Sequence, residues 1–478
     1  MAEKNWYSNG NVDWNADDAW NTQADGLGTA LTNPDDEAHV IIQGNDTITL
    51  TAALHSTIRS LTIDSGSDLD GHASYIIETT DEGNAIYGTN GYAVKINGTT
   101  DSNVNITVGG TFSTLVDLDG TMGNLILKGS GSKQFRGTPT IGGNVTIQDS
   151  CPVDCAGAVQ INGNFTITSG SYSTGSDHAL TVTGITTVYG TLTLNDSVVS
   201  LGASYTTDYG LEGAGGGSNI DMGGATVTTG AVNIPSGDFI MTSATWTISS
   251  TKTSTSAFLN IATTDTFSHG SGILKFTSSG GGNVRSNQGL NNIIIDAVSG
   301  TPTWTVVTQG FSCAGYFTLT DGTFDTGGFN LTVTGAIDIT GTLTGNASAI
   351  SAGGLRVNDT GIFNAPTSVG SCSITGELSS YAFRISGGGT LNNNTGTITF
   401  LNVNSRLMMN GTGNIYNLTL NHASCFIMLH SDGTTTIEGN LTITAGQLTT
   451  YMEGTTTSKD LTVTGNTRIG PASGGADQ

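Results

Sequence analysis

Positive charge is scarce in this 478-residue chain. Lys and Arg number 14 against 38 Asp and Glu, a formal net charge of −24. A nucleic-acid binder needs a basic face, and so small a cationic complement excludes one. Charged residues of either sign make up only 11% of the chain, well under the roughly 25% of an ordinary globular domain. Proline is also rare, at 7 residues, and collagen needs it in abundance with glycine at every third position. No apolar run approaches the ~18 residues of a membrane-spanning helix. The opening Met1–Gly10 has no apolar stretch of the kind that leads a secretory signal, so the chain reads as cytoplasmically made or as a mature fragment. The residues that build surface helices, Ala, Leu, Glu and Lys, do not dominate. Disorder is excluded by a hydrophobic content of 36%.

What is abundant is glycine, at 69 residues about twice the usual ~7%, together with Thr, Ser, Asn, Val and Ile. β-branched residues favour strands, and Gly, Asn, Asp and Ser make turns. The composition therefore specifies a large all-β protein with many corners.

A repeat organises it. Gly123-Asn124-Leu125-Ile126-Leu127 returns as Gly143-Asn144-Val145-Thr146-Ile147 and as Gly163-Asn164-Phe165-Thr166-Ile167, at steps of 20 residues, and again at Gly439-Asn440-Leu441-Thr442-Ile443. Each copy is a turn followed by a period-2 strand, with Gly and Asn expected to supply left-handed backbone at the corner. A 20-residue step is too short for a βαβ unit of about 30 residues and fits one coil of a solenoid. The expected fold is a parallel β-helix (β-solenoid) with coils of about 20–25 residues, roughly 19 of them, and an N-terminal Trp-rich cap. Asn124, Asn144 and Asn164 should share a corner, as an amide ladder. Leu125, Val145 and Phe165 should stack inward at about 4.8 Å per coil.

A longer block is laid over the coil. Strands starting at Phe165, Phe317 and Leu441 each lead to a Leu-Thr-Val-Thr-Gly strand, at Leu180, Leu331 and Leu461. Each is preceded by an Asn-led strand, at Asn144, Asn292 and Asn417. Phe165, Phe317 and Leu441 therefore read as equivalent, buried positions. The resulting division is a cap or attachment segment at 1–45, a first solenoid block at 46–205, a Gly-rich junction with further coils at 206–271, second and third blocks at 272–395 and 396–470, and a tail at 471–478.

Three of the five tryptophans, Trp6, Trp14 and Trp20, fall in the first segment. They suit an aromatic cap over the first coil, which would otherwise expose both core and strand edge. The alternative is an attachment surface for another protein. The five cysteines, at 151, 155, 313, 372 and 425, are odd in number and scattered, which argues against a disulfide scaffold. Cys151 and Cys155 read as free thiols, with a small disulfide loop or a share in a metal site as alternatives.

Signals for chemistry are few. The seven histidines, at 39, 55, 72, 178, 269, 422 and 430, show no metal-ligand spacing. Asp117 and Asp119 would lie on one side of a strand, about 6.5–7 Å apart, which suits a calcium site or a pair of glycosidase acids. The plainer reading is two solvated acids beside a turn. Asp64, Asp68 and Asp70 resemble the start of a calcium loop, but its twelfth position is Tyr75 rather than an acid. No catalytic residue and no cofactor is assigned, Ca²⁺ being the one weak candidate.

The opening resembles structural proteins of tailed bacteriophages. These begin with Trp-containing turns, pass through a Pro…Asp-Asp…Val-Ile-Ile…Gly stretch, and enter Thr-rich repeats through a Ser-Leu-Thr-Ile…Gly strand. Here those elements are Trp6, Trp14, Trp20, Pro34, Asp35–Asp36, Val40–Ile42, Gly44, Ser60–Ile63 and Gly66. The resemblance covers about 70 residues in detail, and large bacterial surface adhesins share its short motifs. It implies a non-enzymatic virion appendage, a tail fibre, tail spike or capsid fibre, assembled in the host cytoplasm. Its partners would be other virion proteins, host surface polysaccharide and further copies of itself, with a trimer as one arrangement. Two alternatives stand beside it: a polysaccharide-degrading tail spike on a β-helix, and an adhesin exported to the cell surface.

Overall fold

The computed structural model describes residues 4–31, 34–35, 38–51, 55–71, 76–79, 92–96, 99–100, 104–109, 114–118, 121–253, 255, 257–262, 265–376, 381–401, 403–450 and 459–470. Among them there is no helix, and the strands stack in parallel as a β-solenoid of about 17 turns. That is fewer than 19 because some coils take more residues than others. From Ile76 to its register partner Asn105 the chain runs 29 residues, against 20 from Leu125 to Val145. The chain forms two compact units, Met1–Ala244 with Thr264–Ser268, and Thr245–Thr263 with His269–Gln478.

In the first unit each coil has three strands on three faces. The first face runs through Asn124–Leu127, Val145–Ile147, Phe165–Ile167, Thr186–Val188 and Leu211–Gly213. The second includes Lys133–Arg136, Pro152–Cys155 and Ser171–Ser173, and the third Thr140–Ile141, Val159–Ile161 and Leu180–Val182. Leu125 pairs in register with Val145, and Val145 with Phe165. Most of these strands are three or four residues long because the corners come that often. Their alternation is strict: Val145, Ile147, Phe165 and Ile167 are buried, while Thr146 and Thr166 are turned outward and half-buried. The faces meet inside the coil. Phe165 packs edge-on against Tyr172 of the second face, with ring centroids 5.0 Å apart.

The Gly-Asn corner works differently from the expectation. Asn124 Oδ1 accepts the backbone N–H of Asn144 at 2.8 Å, Asn144 Oδ1 that of Asn164 at 2.8 Å, and Asn164 Oδ1 that of Ile185 at 2.9 Å. The ladder thus runs from side chain to backbone. An amide-to-amide bond occurs one coil earlier, from Asn124 Nδ2 to Asn105 Oδ1 at 3.0 Å. Neither Gly143 nor Gly163 has positive φ. Glycine is required there for closeness: a Cβ on Gly143 would strike the Asn124 side chain, and one on Gly163 would strike the Gly143 carbonyl and Asn144 Oδ1. Left-handed glycine sits instead at the Thr-Gly corner, at Gly175 (φ 62°) and, in the second unit, Gly327 (φ 60°). There the preceding Thr174 and Thr326 are buried, and each hydroxyl donates to a carbonyl of the next coil, Leu194 and Gly345, at 2.8 Å.

The first coils are closed by an antiparallel flap. Lys4–Ser8 pairs in parallel with Ala38–Ile42 and antiparallel with Trp20–Asn21, which in turn pairs antiparallel with Ala30–Leu31. Trp14 and Trp20 are buried edge-to-face, centroids 4.9 Å apart, and Trp20 Nε1 donates to the Trp14 carbonyl at 2.9 Å.

The second unit repeats the parallel coil with aromatic cross-links inside it. Phe258 lies edge-on to Phe276 at 4.7 Å and Phe317 edge-on to Phe324 at 4.9 Å. Some corners here are bends within long strands. Leu331–Ile339 and Ala349–Val357 pair along both arms, with a register shift between Val333 and Ala336. Phe317 pairs with Ile293 and Ile337, while Leu441 pairs with Leu418 and Thr467 on a different run of strands. Both are buried, but they are not equivalent positions. Leu331 and Leu441 share that second run, through Ile350, Cys372, Ile398 and Leu418. An apolar-Thr-apolar-Thr strand ending near glycine recurs on more than one face, so the sequence pattern alone does not say which face a copy occupies.

Phe165→Asp places an unpaired carboxylate in this core and should cost several kcal/mol, while Thr166→Ser on the outward side should be nearly silent. Asn144→Ala leaves the Asn164 amide without its acceptor and should cost about 1–3 kcal/mol. Thermal or urea unfolding of the three variants against the parent measures all three effects.

Candidate functional site

A polar groove lies on the second unit. It is an open groove of about 470 Å³, lined by Asp296, Asp321, Thr320, Thr323, Thr340 and Thr360 among others. The coil places these side chains together. Ile295, Leu319 and Ile339 stack inward in register, so the residue after each, Asp296, Thr320 and Thr340, comes to the same corner of successive coils. Thr360 Oγ1 donates to the Thr340 carbonyl at 3.2 Å, extending the hydroxyl row by a coil.

Both carboxylates are engaged. Asp296 forms an ion pair with Lys275 at 2.7 Å, and Asp321 Oδ1 accepts the Gly322 amide at 2.6 Å. The arrangement suits hydrogen bonding to a polyhydroxylated ligand. Its lining includes no Ser or Cys, and the two aspartates are the carboxylates in it with acid–base or nucleophilic capacity.

Among the described residues no group of three or more His, Cys, Asp or Glu is placed to hold a metal ion. Asp117 lies on Thr114–Leu118 in register with Arg136, and Asp119 lies outside the described residues. Of the Asp64, Asp68, Asp70 series, Asp68 and Asp70 lie on one strand, and Tyr75 is outside the described residues. His39 is buried, its Nδ1 2.7 Å from Ser60 Oγ, and His269 and His422 each accept a local turn amide.

The tryptophan rings of the first segment are not a docking surface. Trp6, Trp14 and Trp20 are at most 5% exposed, because they extend the apolar column at its end. Among the described residues of the segment, the large apolar side chain left exposed is Leu27, 83% exposed, between the two antiparallel strands of the flap. As one leucine among turn residues it carries no sequence signal.

All five cysteines are free and buried. Burial pushes the Cys151 thiol up to about 11 and the thiols of Cys155, Cys313 and Cys372 up to about 12. Cys155 Sγ donates to the Tyr172 hydroxyl at 3.0 Å. The reading of Cys151 and Cys155 as free thiols holds, and the alternative of a disulfide loop falls: each side chain is buried in the core as a small apolar group.

No protein-family model, no curated protein and no solved structure matches this chain.

The thiols give a direct test. Folded protein should react with a thiol reagent at pH 8 at far below its 5 equivalents, all of which should appear in denaturant. The folded thiols titrate above the usual ~8.5, so their contribution is complete below that pH and declines as pH rises towards 11–12. Urea midpoints should accordingly be level from pH 6 to 8 and fall above about pH 9.

Proposed function

We propose that the chain is a structural component of a tailed-bacteriophage virion, a β-solenoid of the tail-fibre, tail-spike or capsid-fibre kind that works without catalysis. The observation that carries this reading is the solenoid coil itself, with an inward apolar stack and an outward row of Thr, Ser and Asn in each unit. Such a body is stiff, because each strand is hydrogen-bonded to the strand before and after it, and it offers many weak polar contacts over a long surface. The bacteriophage-like opening supports the same reading. In it, residues 1–45 attach the chain to the particle and later coils face outward, towards host surface polysaccharide or further copies.

Because the tryptophans hold the core closed, attachment falls to the exposed residues of that segment, Leu27 foremost. Electron microscopy of labelled virions should find the chain on the particle. Leu27→Asp should lower its incorporation at unchanged melting temperature. Normal incorporation of Leu27→Asp removes the attachment role, and absence of the chain from virions removes the reading.

A second reading, a polysaccharide-degrading tail spike, is favoured by the two aspartates in the threonine-lined groove. It requires hydrolysis or elimination of host polysaccharide by the purified chain, lost in Asp296→Asn or Asp321→Asn.

A further inference from the structure

Three of the chain's seven arginines come together on the outward side of one sheet in the second unit. Asp338 pairs in register with Arg356, and Arg356 with Arg384 on the next strand. The strand after that carries Arg406, in register with Tyr381. Arg356 and Arg384 are one coil apart in register, and Arg406 lies on the following strand two residues before Met408, the register partner of Arg384.

The first arginine shows what such a position holds. Arg356 grips the Asp338 carboxylate with both edges of its fork, Nε donating to Oδ1 at 3.0 Å and a terminal nitrogen to Oδ2. This bond raises the Arg356 pKa above its ordinary value. One coil on, the strand beneath Arg384 offers Arg356 where Arg356 itself had an aspartate. The Nε of Arg384 is buried and has no hydrogen-bond partner among the described residues. Its guanidinium lies 5.5 Å from the centre of the Tyr381 ring, and that of Arg406 lies 5.9 Å from the same centre. Contacts of this length are cation–π attractions, which hold the two cations near one another without neutralising either. His430 meets the edge of the ring, with Nδ1 3.5 Å from the Tyr381 hydroxyl.

Two described acids of these coils are already engaged. Asp338 also accepts Asn358 Nδ2 at 2.5 Å, and Asp432 exchanges hydrogen bonds with Asn410. The net charge of −24 does not forbid an anion here, since at physiological salt charges beyond about 8 Å are largely screened.

We propose that Arg384, Arg406 and Tyr381 form a binding site for the carboxylate of an acidic saccharide. The neighbouring Arg356–Asp338 pair is the precedent for a carboxylate, which a guanidinium fork holds with two parallel bonds. The two guanidiniums and the Tyr381 hydroxyl offer several hydrogen-bond donors side by side, which suits an oxygen-rich carrier. The site goes beyond the structural role proposed above and does not depend on it.

Calorimetric titration of the full chain with an oligogalacturonate tests it. Binding is expected, at least tenfold weaker for the methyl-esterified oligomer and at least tenfold weaker for Arg384→Gln and for Arg406→Gln. Both variants should melt with the parent, and Arg384→Lys, which keeps the charge and loses the fork, should fall between. No binding by the parent, equal binding of the ester, or full binding by both Gln variants overturns the site. Tighter binding of poly-glutamate or of inorganic phosphate overturns the ligand class. None of these outcomes bears on whether the chain is found on a virion, so the two readings fail separately.

Discussion

In a parallel coil every residue has a counterpart about 4.8 Å above and below it, and the corners are where this closeness becomes a constraint. Strand amides are satisfied along the ladder, but an amide at a corner must find an acceptor of its own or cost the free energy of an unmade hydrogen bond. Here the preceding coil supplies it. Asn124, Asn144 and Asn164 each accept the amide of the corner that follows, as do Asn292, Asn417 and Asn440 in the second unit. The glycine of the motif is the other half of the same device. The accepting Asn side chain occupies the space that a Cβ at Gly143, Gly184, Gly315 or Gly439 would need.

That explains how much of the fold the sequence discloses. The coil length, the parallel stack of Leu125, Val145 and Phe165, and the shared corner of the asparagines follow from a repeated pattern with one periodicity. The reason for the glycine does not, because a residue chosen for backbone freedom and one chosen for close approach look alike. Gly143 and Gly163 are the second kind alone, whereas Gly175 and Gly327 are both, left-handed and pressed against the carbonyls of Cys155 and Val306. Nor does the face follow. Phe317 and Leu441 begin similar strings yet lie on different runs of strands, since only the count of corners between them decides.

The candidate sites were less legible for a related reason. Asp296, Thr320, Thr340 and Thr360 are distant in sequence and meet only because whole coils intervene. Arg356, Arg384 and Arg406 do carry a signal, like charges recurring on successive strands, but it emerges only once the register is known. Trp6, Trp14 and Trp20 were legible in their first reading, as a cap, and not in the alternative of an attachment surface. Their clustering is conspicuous, and it reports the closing of a core rather than the recognition of a partner.

The side-chain-to-backbone ladder has a consequence for how such a chain changes over generations. Each link reaches forward by one coil and asks only for a glycine and an amide at the next corner. A coil removed or duplicated whole leaves the link intact, because the coil now adjacent presents the same pair. A deletion of half a coil breaks it, rotating every later strand onto the wrong face. Between the corner loops, where coil length varies freely, inheritance of length is thereby quantised: a change that shifts the strands is viable only if it adds or subtracts an entire turn.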